Sequence, residues 1–293
     1  MLAFLATRIS IVFLLLAGTM LLLHSCMTFR ESHERMNKFF RENKVEGRIR
    51  HFQAEKLKME YVQAGDSTKP LILFVHGSPG SLSAFLWYLV DSTLLEHGFL
   101  MTTDRPGFGH SNFGVGEPSL DKQAKILTNL IEIHQQSRPV ILVGHSLGGP
   151  LIAKVAMDYP HLVDGLVIIA GSIDPDLEPN ETWFRAPLST PFLRWILPRS
   201  FRASNDELYQ LKPQLVQMIP SWSKITCPVA IIHGRKDALV PFGNVAFAEK
   251  VLTRAKVHYL LRDDAGHFIP WQNHELVVEG ILKVLSETKS SSD

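Results

Sequence analysis

Residues 140–149 give the strongest indication of the fold, and they read Val140-Ile141-Leu142-Val143-Gly144-His145-Ser146-Leu147-Gly148-Gly149. The first four residues of this stretch are apolar and predict a strand that is buried on both faces, and residues 147–159 then predict a helix. Between them, the pattern Gly-x-Ser-x-Gly predicts a very tight turn that lifts the Ser146 hydroxyl above the sheet. Such a turn strains the backbone at the serine and leaves no room for a side chain at Gly144 or Gly148. Ser146 is therefore the candidate nucleophile.

Short apolar runs alternate with longer amphipathic ones from about residue 49 to the end of the chain. These runs predict eight strands, at residues 49–53, 57–63, 71–75, 99–103, 140–143, 166–170, 229–232 and 257–261. Helices are predicted at residues 81–92, from Ser119 onward, at 147–159 and at 274–286. Because strands alternate with helices, we predict an α/β fold: a mostly parallel eight-stranded sheet with helices on both faces and an antiparallel pair at its start.

The alternation of strands and helices is interrupted between residues 172 and 224. This segment holds seven prolines and several aromatic residues, which favour short helices over strands. We predict a helical lid inserted over the carboxyl edge of the sheet, where ligands bind in open α/β folds. The predicted organisation is a core of residues 49–171 and 225–293, with residues 172–224 as a cap inserted in it.

Charge and cysteine content exclude several classes of function. The 30 Lys and Arg residues nearly balance the 29 Asp and Glu residues, so nothing favours nucleic acid as a partner. The two cysteines cannot build a disulfide framework, and the 13 histidines show neither His-Glu-x-x-His nor paired His/Cys spacing. We therefore predict an activity that needs no metal and no organic cofactor.

A serine hydroxyl is a weak nucleophile that needs a general base, and the base needs an orienting acid. Both residue types follow predicted strands: Asp237 comes after the strand at 229–232, and His267 after the strand at 257–261. Because the carboxyl ends of parallel strands share one edge of a sheet, we predict His267 as the base and Asp237 as its acid. The chain order Ser, Asp, His agrees with this assignment. Asp174 is the alternative acid.

Acyl transfer also needs two backbone N–H donors for the oxyanion of the tetrahedral intermediate. The N–H of Leu147, one residue after the candidate nucleophile, is predicted as the first donor. The loop after the strand at 71–75 reads His76-Gly77-Ser78-Pro79-Gly80. Pro79 has no N–H, whereas Ser78 follows a flexible glycine, so we predict the Ser78 N–H as the second donor.

Several segments together resemble the α/β-hydrolase fold family. They are residues 76–80, residues 104–111, the turn at Ser146, and the loops that carry Asp237 and His267. The resemblance runs from about residue 50 to the end of the chain. It implies that residues 104–111 form a structural loop beside the site, and that His110 within this loop is structural rather than catalytic.

Differences among the subfamilies narrow the expected chemistry. Ser146 stands where epoxide hydrolases and haloalkane dehalogenases carry Asp, and Leu147 stands where proline iminopeptidases usually carry Trp. The resemblance thus implies a serine hydrolase that cleaves a carboxylic ester or thioester through an acyl-serine. A carbon–carbon bond hydrolase with a similar turn is one alternative, and a binding module without turnover is the other.

The expected partner is a small-molecule acyl substrate of apolar character. Phe108, Phe113 and Phe268 lie close in sequence to the predicted site residues. Together with the aromatic residues of the predicted lid, they suggest an apolar acyl pocket.

The amino terminus differs from the rest of the chain. A short segment carrying Arg8 precedes an uncharged, mostly apolar run at residues 9–23. This run is short for a membrane span, which needs about 20 apolar residues, and it fits the apolar core of a secretory signal. The sequence Leu23-His24-Ser25-Cys26 resembles the lipobox of bacterial lipoproteins, which implies lipidation of Cys26; an uncleaved anchor over residues 9–29 is the alternative. Either interpretation predicts an exported protein anchored to a membrane of the cell envelope.

Residues 27–48 are interpreted as a polar connector between the segment 1–26 and the core. Within it, Met36, Phe39 and Phe40 form a small apolar stripe at helical spacing among charged residues. This pattern favours a solvated helix whose stripe rests on the core. The alternative is a helix that lies on an anionic bilayer surface.

Overall fold

The computed structural model describes residue 18, residues 27–135 and residues 138–290. Within these residues, eight strands form one sheet. The strands are β1 Arg48–Ala54, β2 Leu57–Ala64, β3 Leu71–Val75, β4 Phe99–Thr103, β5 Val140–His145, β6 Gly165–Ile169, β7 Val229–Gly234 and β8 Val257–Arg262. The predicted strands are all present, with small differences at their ends.

The sheet has the order β1-β2-β4-β3-β5-β6-β7-β8. β2 pairs antiparallel with β1 and with β4, and the later neighbours pair parallel. β3 lies between β4 and β5, with Leu73 opposite Met101 on one side and Leu142 on the other. The carboxyl ends of β3, β5, β7 and β8 therefore lie at one edge, where the loops that follow them can build a common site.

The described helices cover both faces of the sheet, as predicted. They are α1 His33–Glu42, α2 Ser92–His97, α3 Leu120–His134, α4 Gly148–Asp158, α5 Thr182–Leu188, α6 Arg199–Met218, α7 Gly243–Val251, α8 Ile269–Gln272 and α9 His274–Ser290. On β3, Leu71 and Leu73 belong to the buried cluster that includes α3 and α4 side chains. Ile72 and Phe74 belong to the cluster on the opposite face, which includes α9 side chains. α9 runs to Ser290, beyond its predicted end at residue 286.

The single helix predicted at residues 81–92 is wrong. The chain there forms two short 3₁₀ helices, Leu82–Phe85 and Tyr88–Val90, before α2 begins. The Asp91 side chain accepts a hydrogen bond of 2.9 Å from an α2 backbone N–H, so it caps a new helix rather than continuing the old one. The interruption allows the rings of Phe85 and Tyr88 to pack on Phe74, with centroids 5.0 and 5.2 Å away.

Helix α1 rests its apolar stripe on the core. Met36 and Phe40 are buried, and Phe39 is half-buried. A Cβ at Gly47 would lie 2.3 Å from the Phe40 ring, so the chain passes tightly over this ring just before β1. This packing agrees with the favoured interpretation of a solvated helix, because the stripe faces the protein rather than a bilayer.

Residues 172–224, called the inserted segment below, are all described and form helices and turns without a strand, as predicted. Their role as a lid stays a prediction. Among the described residues, no helix is long and apolar enough to cross a membrane. The predictions for the segment 1–26, including lipidation of Cys26, lie outside the described residues.

Candidate active site

Ser146 lies on a sharp turn between β5 and α4. Its φ is +54°, in the left-handed region that non-glycine residues rarely occupy. A Cβ at Gly144 would lie 2.4 Å from the Gly148 carbonyl oxygen, and a Cβ at Gly148 would lie 2.4 Å from the Val75 carbonyl oxygen. The strained serine and the two obligatory glycines agree with the sequence analysis. The turn also places the Ser146 side chain at the positive end of α4.

His267 and Asp237 meet at the same edge of the sheet, in the loops after β8 and β7. His267 Nδ1 lies 2.8 Å from Asp237 Oδ2, and both side chains are buried. The other oxygen, Asp237 Oδ1, accepts hydrogen bonds from the N–H groups of Leu239 at 2.9 Å and Val240 at 2.8 Å. Burial raises the pKa of Asp237, but the hydrogen bonds from His267 and Val240 outweigh it and hold this pKa below its usual value. The carboxylate is therefore ionised and oriented toward the imidazole.

One cavity of about 480 Å³ brings the predicted site residues together. Ser146, His267, Ser78 and Leu147 all line it. Asp237 lies behind His267, with its side chain fully buried. The structure thus brings together five residues from four separate segments of the chain, and their roles in catalysis stay predictions.

The loop after β3 approaches the Ser146 turn closely. A Cβ at Gly77 would lie 2.8 Å from Ser146 Cβ and 3.2 Å from the His145 carbonyl oxygen. The backbone of this loop can therefore pass beside the serine only because residue 77 lacks a side chain. Ser78, the next residue, lies at the cavity, where its N–H is predicted to act.

A buried ion pair that the sequence analysis missed ties this loop to the inserted segment. Arg105 Nη1 lies 2.5 Å from Glu207 Oε1 on α6, and both side chains are buried. Arg105 also donates hydrogen bonds of 2.9 Å to the carbonyl oxygens of His76 and Gly77. Glu207 accepts a hydrogen bond of 2.8 Å from the Ser78 hydroxyl. Burial raises the pKa of Glu207, although the Arg105 guanidinium opposes this shift.

Two buried histidines support the His267 and Asp237 loops. His145 Nε2 lies 3.0 Å from the His267 carbonyl oxygen. Burial, helped by the neighbouring His267, lowers the pKa of His145 to about 3, so this ring is neutral and donates its Nε2–H. His233 Nε2 lies 3.0 Å from the Val240 carbonyl oxygen, and burial lowers its pKa as well. The sequence positions of these two histidines could have indicated their role, since His145 directly precedes Ser146 and His233 lies four residues before Asp237.

Two other predicted residues lie away from the cavity. The alternative acid, Asp174, uses its side chain to accept a hydrogen bond of 2.9 Å from the Asp176 N–H. It therefore caps a short 3₁₀ helix and does not orient His267. The His110 ring packs against the His33 ring at a tilt of 41°, with centroids 4.4 Å apart, and His110 is not among the described residues that line the cavity. The interpretation of His110 as structural rather than catalytic agrees with this position.

The aromatic pocket predicted from Phe108, Phe113 and Phe268 is wrong. Phe108 is buried beside the Arg105 guanidinium, 4.8 Å from it. Phe113 lies 5.9 Å from the Arg199 guanidinium. None of these three aromatic residues is among the described residues that line the cavity. Closeness in sequence to the site residues did not bring these rings into the cavity. Phe108 is buried in the interior, and Phe268 is half-exposed, with its ring 5.7 Å from the His267 ring.

The inserted segment contributes ionisable side chains to the cavity wall. They are Glu178, Glu181, Arg185 and Lys212. Arg185 forms an ion pair with Glu181, and the Ser172 hydroxyl donates a hydrogen bond to Glu178. Burial raises the pKa of Glu178. Leu208, Leu211, Leu239 and Val240 supply apolar surface beside them. The cavity is therefore mixed in character, unlike the apolar pocket that the sequence analysis predicted.

The sequence pattern of the alpha/beta hydrolase fold matches residues 70–194. The sheet order described above and the turn at Ser146 agree with this match. The chain has the α/β-hydrolase fold and is a hydrolase.

Several known proteins are similar to this chain. Palmitoyl-protein thioesterase ABHD10, mitochondrial, of Bos taurus is 26% identical over 211 residues, which cover 68% of this chain and 67% of the relative. Pimeloyl-[acyl-carrier protein] methyl ester esterase of Citrobacter koseri is 33% identical over 112 residues, which cover 38% of this chain and 40% of the relative. The crystal structure of a bacterial membrane phospholipase A has a TM-score of 0.66 at 16% identity, with 99% of each chain covered. This last likeness shows the fold alone.

Proposed function

We propose that this hydrolase cleaves a carboxylic ester or thioester through an acyl-serine on Ser146, with His267 as base and Asp237 as orienting acid. The observation that carries the proposal is the 2.8 Å contact between His267 Nδ1 and Asp237 Oδ2, beside a strained serine that shares a cavity with His267. Two relatives named as a thioesterase and a methyl ester esterase support the same class of bond.

The geometry suits a two-step mechanism. Nδ1–H of His267 donates to Asp237, which leaves Nε2 to accept the proton of the Ser146 hydroxyl. The Ser146 oxygen attacks the acyl carbon, and the N–H groups of Ser78 and Leu147 stabilise the oxyanion. The intermediate then expels the alcohol or thiol, which takes its proton from His267, and an acyl-serine remains. His267 next deprotonates a water that attacks this ester, so the acid leaves and Ser146 regains its proton.

Labelling with a fluorophosphonate probe tests the nucleophile without assuming a substrate. We expect one adduct, mapped to Ser146 by mass spectrometry, and no adduct in His267→Ala. His274→Ala is the matched control, because His274 Nε2 lies 2.8 Å from Asp91 Oδ2 in a similar pair that is not at the cavity. This control should label at the wild-type rate. An adduct on another serine, or none on folded protein, would contradict the proposal.

The bond that is cleaved is tested with substrates of three kinds. Acyl esters and acyl thioesters should be hydrolysed and should leave a trapped acyl group on Ser146. The panel includes acyl chains that end in a charged group, because Arg185 and Glu181 lie in the cavity wall. Cleavage of a vinylogous diketone without turnover of any ester would favour the alternative, a carbon–carbon bond hydrolase.

A binding module without turnover is the remaining alternative. In the proposed enzyme, Ser146→Ala should abolish hydrolysis and leave Tm unchanged, since the substitution removes one hydroxyl from the cavity. A folded wild-type protein that neither reacts with the probe nor turns over any member of the panel would favour the binding module.

We also propose that residues 1–26 anchor the enzyme to a membrane of the cell envelope. In support, the Ser200 hydroxyl donates a hydrogen bond of 2.9 Å to the Met27 carbonyl oxygen. Met27, the first residue after the segment 1–26, therefore lies beside the start of α6. The inserted segment, to which α6 belongs, also carries large exposed aromatic side chains: Trp183, Phe192 and Trp195. Such side chains suit contact with a lipid surface.

Flotation with lipid vesicles tests the anchor. The full chain should float with the vesicles, and a chain that begins at Met27 should bind them less. Intact mass of the full chain and of Cys26→Ala then separates a lipidated cysteine from an uncleaved anchor. A full chain that stays with the unbound fraction would refute the anchor.

A further inference from the structure

Three histidines and one buried carboxylate from separate segments converge outside the active-site cavity. His33 begins α1, His51 lies on β1, Glu60 on β2, and His110 in the loop after β4. His33 Nε2 and His51 Nε2 lie 2.8 and 3.0 Å from Glu60 Oε2. One possible ligand atom from each of His33, Glu60 and His110 lies within 4.8 Å of the others.

Within the described residues, the Glu60 carboxylate at the centre of this cluster is not fully hydrogen-bonded. Its side chain is fully buried, and Oε1 has no hydrogen-bond partner in the part of the chain that the structure describes. The backbone holds it in place, since the Glu60 N–H donates to the Ser111 hydroxyl at 2.8 Å and its carbonyl accepts from the Thr103 hydroxyl at 3.0 Å. A buried carboxylate oxygen without a partner is costly, and a cation that binds both carboxylate oxygens would satisfy it.

His110 makes a hydrogen bond of the kind that metal-binding histidines usually make with their second ring nitrogen. Its Nε2 lies 2.9 Å from the Glu31 carbonyl oxygen, to which Nε2–H can donate. This hydrogen bond leaves the lone pair on Nδ1 of the same ring. A histidine ligand usually donates its second ring N–H to a carbonyl or carboxylate in this way.

We propose that His33, Glu60 and His110 bind a divalent transition-metal ion of the Zn²⁺ type, with His51 as the fourth ligand. Tetrahedral ligands about 2.1 Å from Zn²⁺ lie roughly 3.4 Å apart, and the possible ligand atoms of His33, Glu60 and His110 already lie within 4.8 Å of one another. His51 Nε2 lies 3.0 Å from Glu60 Oε2 and would have to move further than these three to become the fourth ligand. Three imidazoles and one carboxylate suit Zn²⁺, whereas Ca²⁺ and Mg²⁺ prefer oxygen ligands throughout.

An ion can reach the cluster from solvent through a cavity of about 350 Å³ that these four residues line together with Lys56 and Lys58. Because the ion requires neutral imidazoles and an ionised carboxylate, binding releases protons and weakens in acid. The bound ion would link α1 to β1 and β2 through its ligands, and would thereby hold the connector 27–48 on the core.

Titration with Zn²⁺ alone tests the site, on the full chain made without a histidine tag and stripped with a chelator. We expect calorimetry to show one ion per chain, and Tm to rise by about 5 °C at roughly 100-fold excess over Kd. Co²⁺ in place of Zn²⁺ should give the visible absorption of a tetrahedral complex. Labelling of Ser146 by the fluorophosphonate probe should be equal with and without the ion, so this test stands apart from the proposed hydrolase mechanism.

Substitutions locate the ion. Glu60→Gln and His110→Ala should each weaken Zn²⁺ binding by at least about 10-fold. His33→Ala, at a partly exposed ring, serves if the buried changes prevent folding. His161→Ala, at an exposed histidine elsewhere, should bind as the wild type does. No binding, or equal binding in all variants, would show that the cluster is held by imidazole–carboxylate hydrogen bonds alone.

Discussion

Gly148 allows β5 and α4 to meet at Ser146, because a Cβ there would lie 2.4 Å from the Val75 carbonyl oxygen. We expect Gly148→Ala to lower the free energy of unfolding by about 1–3 kcal/mol and to slow labelling of Ser146, since the backbone must shift. Urea unfolding and the labelling rate measure the two effects. Gly266→Ala is the control, as its Cβ would meet only the Lys236 carbonyl oxygen at 3.6 Å. Similar losses in both variants would contradict the steric argument.

Asp237 orients the His267 ring through a single carboxylate oxygen. In Asp237→Asn an amide replaces this acceptor, so His267 takes the wrong tautomer and kcat should fall by about 10⁴-fold. Steady-state kinetics with the best substrate of the panel measure the change. Asp263 lies four residues before His267, and its exposed carboxylate pairs with Arg235. The variant Asp263→Asn should therefore keep nearly full activity. Comparable losses in the two variants would remove Asp237 from the mechanism.

At acid pH, the binding of a single proton by the enzyme should account for the fall in kcat/KM. The pKa of Asp237 is held below its usual value, so this carboxylate stays ionised while the medium is acidified. Activity should fall as His267 becomes protonated, because an imidazolium cannot accept the Ser146 proton. A profile that is flat down to about pH 4, or that falls with the slope of two protons, would be inconsistent with this assignment.

At the scale of elements, the buried Arg105–Glu207 pair links α6 to the loop that carries Ser78. Glu207→Gln leaves the Arg105 charge without its carboxylate, and we expect a loss of about 3–5 kcal/mol in the free energy of unfolding. Asp206→Asn, one residue earlier on α6, breaks a more exposed pair with Arg194 and should cost less than about 1 kcal/mol. Denaturant unfolding of both variants measures the two losses in the free energy of unfolding. A smaller loss in Glu207→Gln than in Asp206→Asn would contradict the prediction.

The helix predicted at 81–92 shows why helix type was harder to predict than the strands. Its apolar residues suggested one packed helix, and they are in fact buried in large part. The Asp91 side chain caps α2, and this local hydrogen bond ends one helix and starts another. Composition indicates that such a segment packs on the core, but the caps decide where its turns begin.

At the scale of the whole molecule, α1 is part of the folded domain rather than a free connector. A chain that begins at Asn43 lacks Met36 and Phe40, which are buried in the core. Loss of large buried side chains costs about 2–5 kcal/mol each, so Tm should drop clearly. A chain that begins at Met27 keeps α1 and should melt as the full chain does. Differential scanning calorimetry compares the three, and equal Tm values would mean that α1 adds no stability.

The strands of the sheet, the turn at Ser146 and the loops that carry Asp237 and His267 were predictable from the amino-acid sequence alone. These features depend on short-range physics. Strands follow from apolar runs, the turn from the steric demands of two glycines, and the position of each loop from the strand just before it. Each signal is contained within about ten residues, so it can be found without knowledge of the fold.

Contacts between residues that are distant in the sequence could not be predicted in the same way, because they depend on how the chain folds. Arg105 and Glu207 are separated by 102 residues, and His33 and Glu60 by 27. The ionisable wall of the cavity likewise comes from the inserted segment, whose position no local spacing specifies. Such contacts are set by how helices and loops pack on the sheet. That packing depends on the sum of many weak contacts across the chain, and for this reason the buried ion pair and the histidine cluster became visible only in three dimensions.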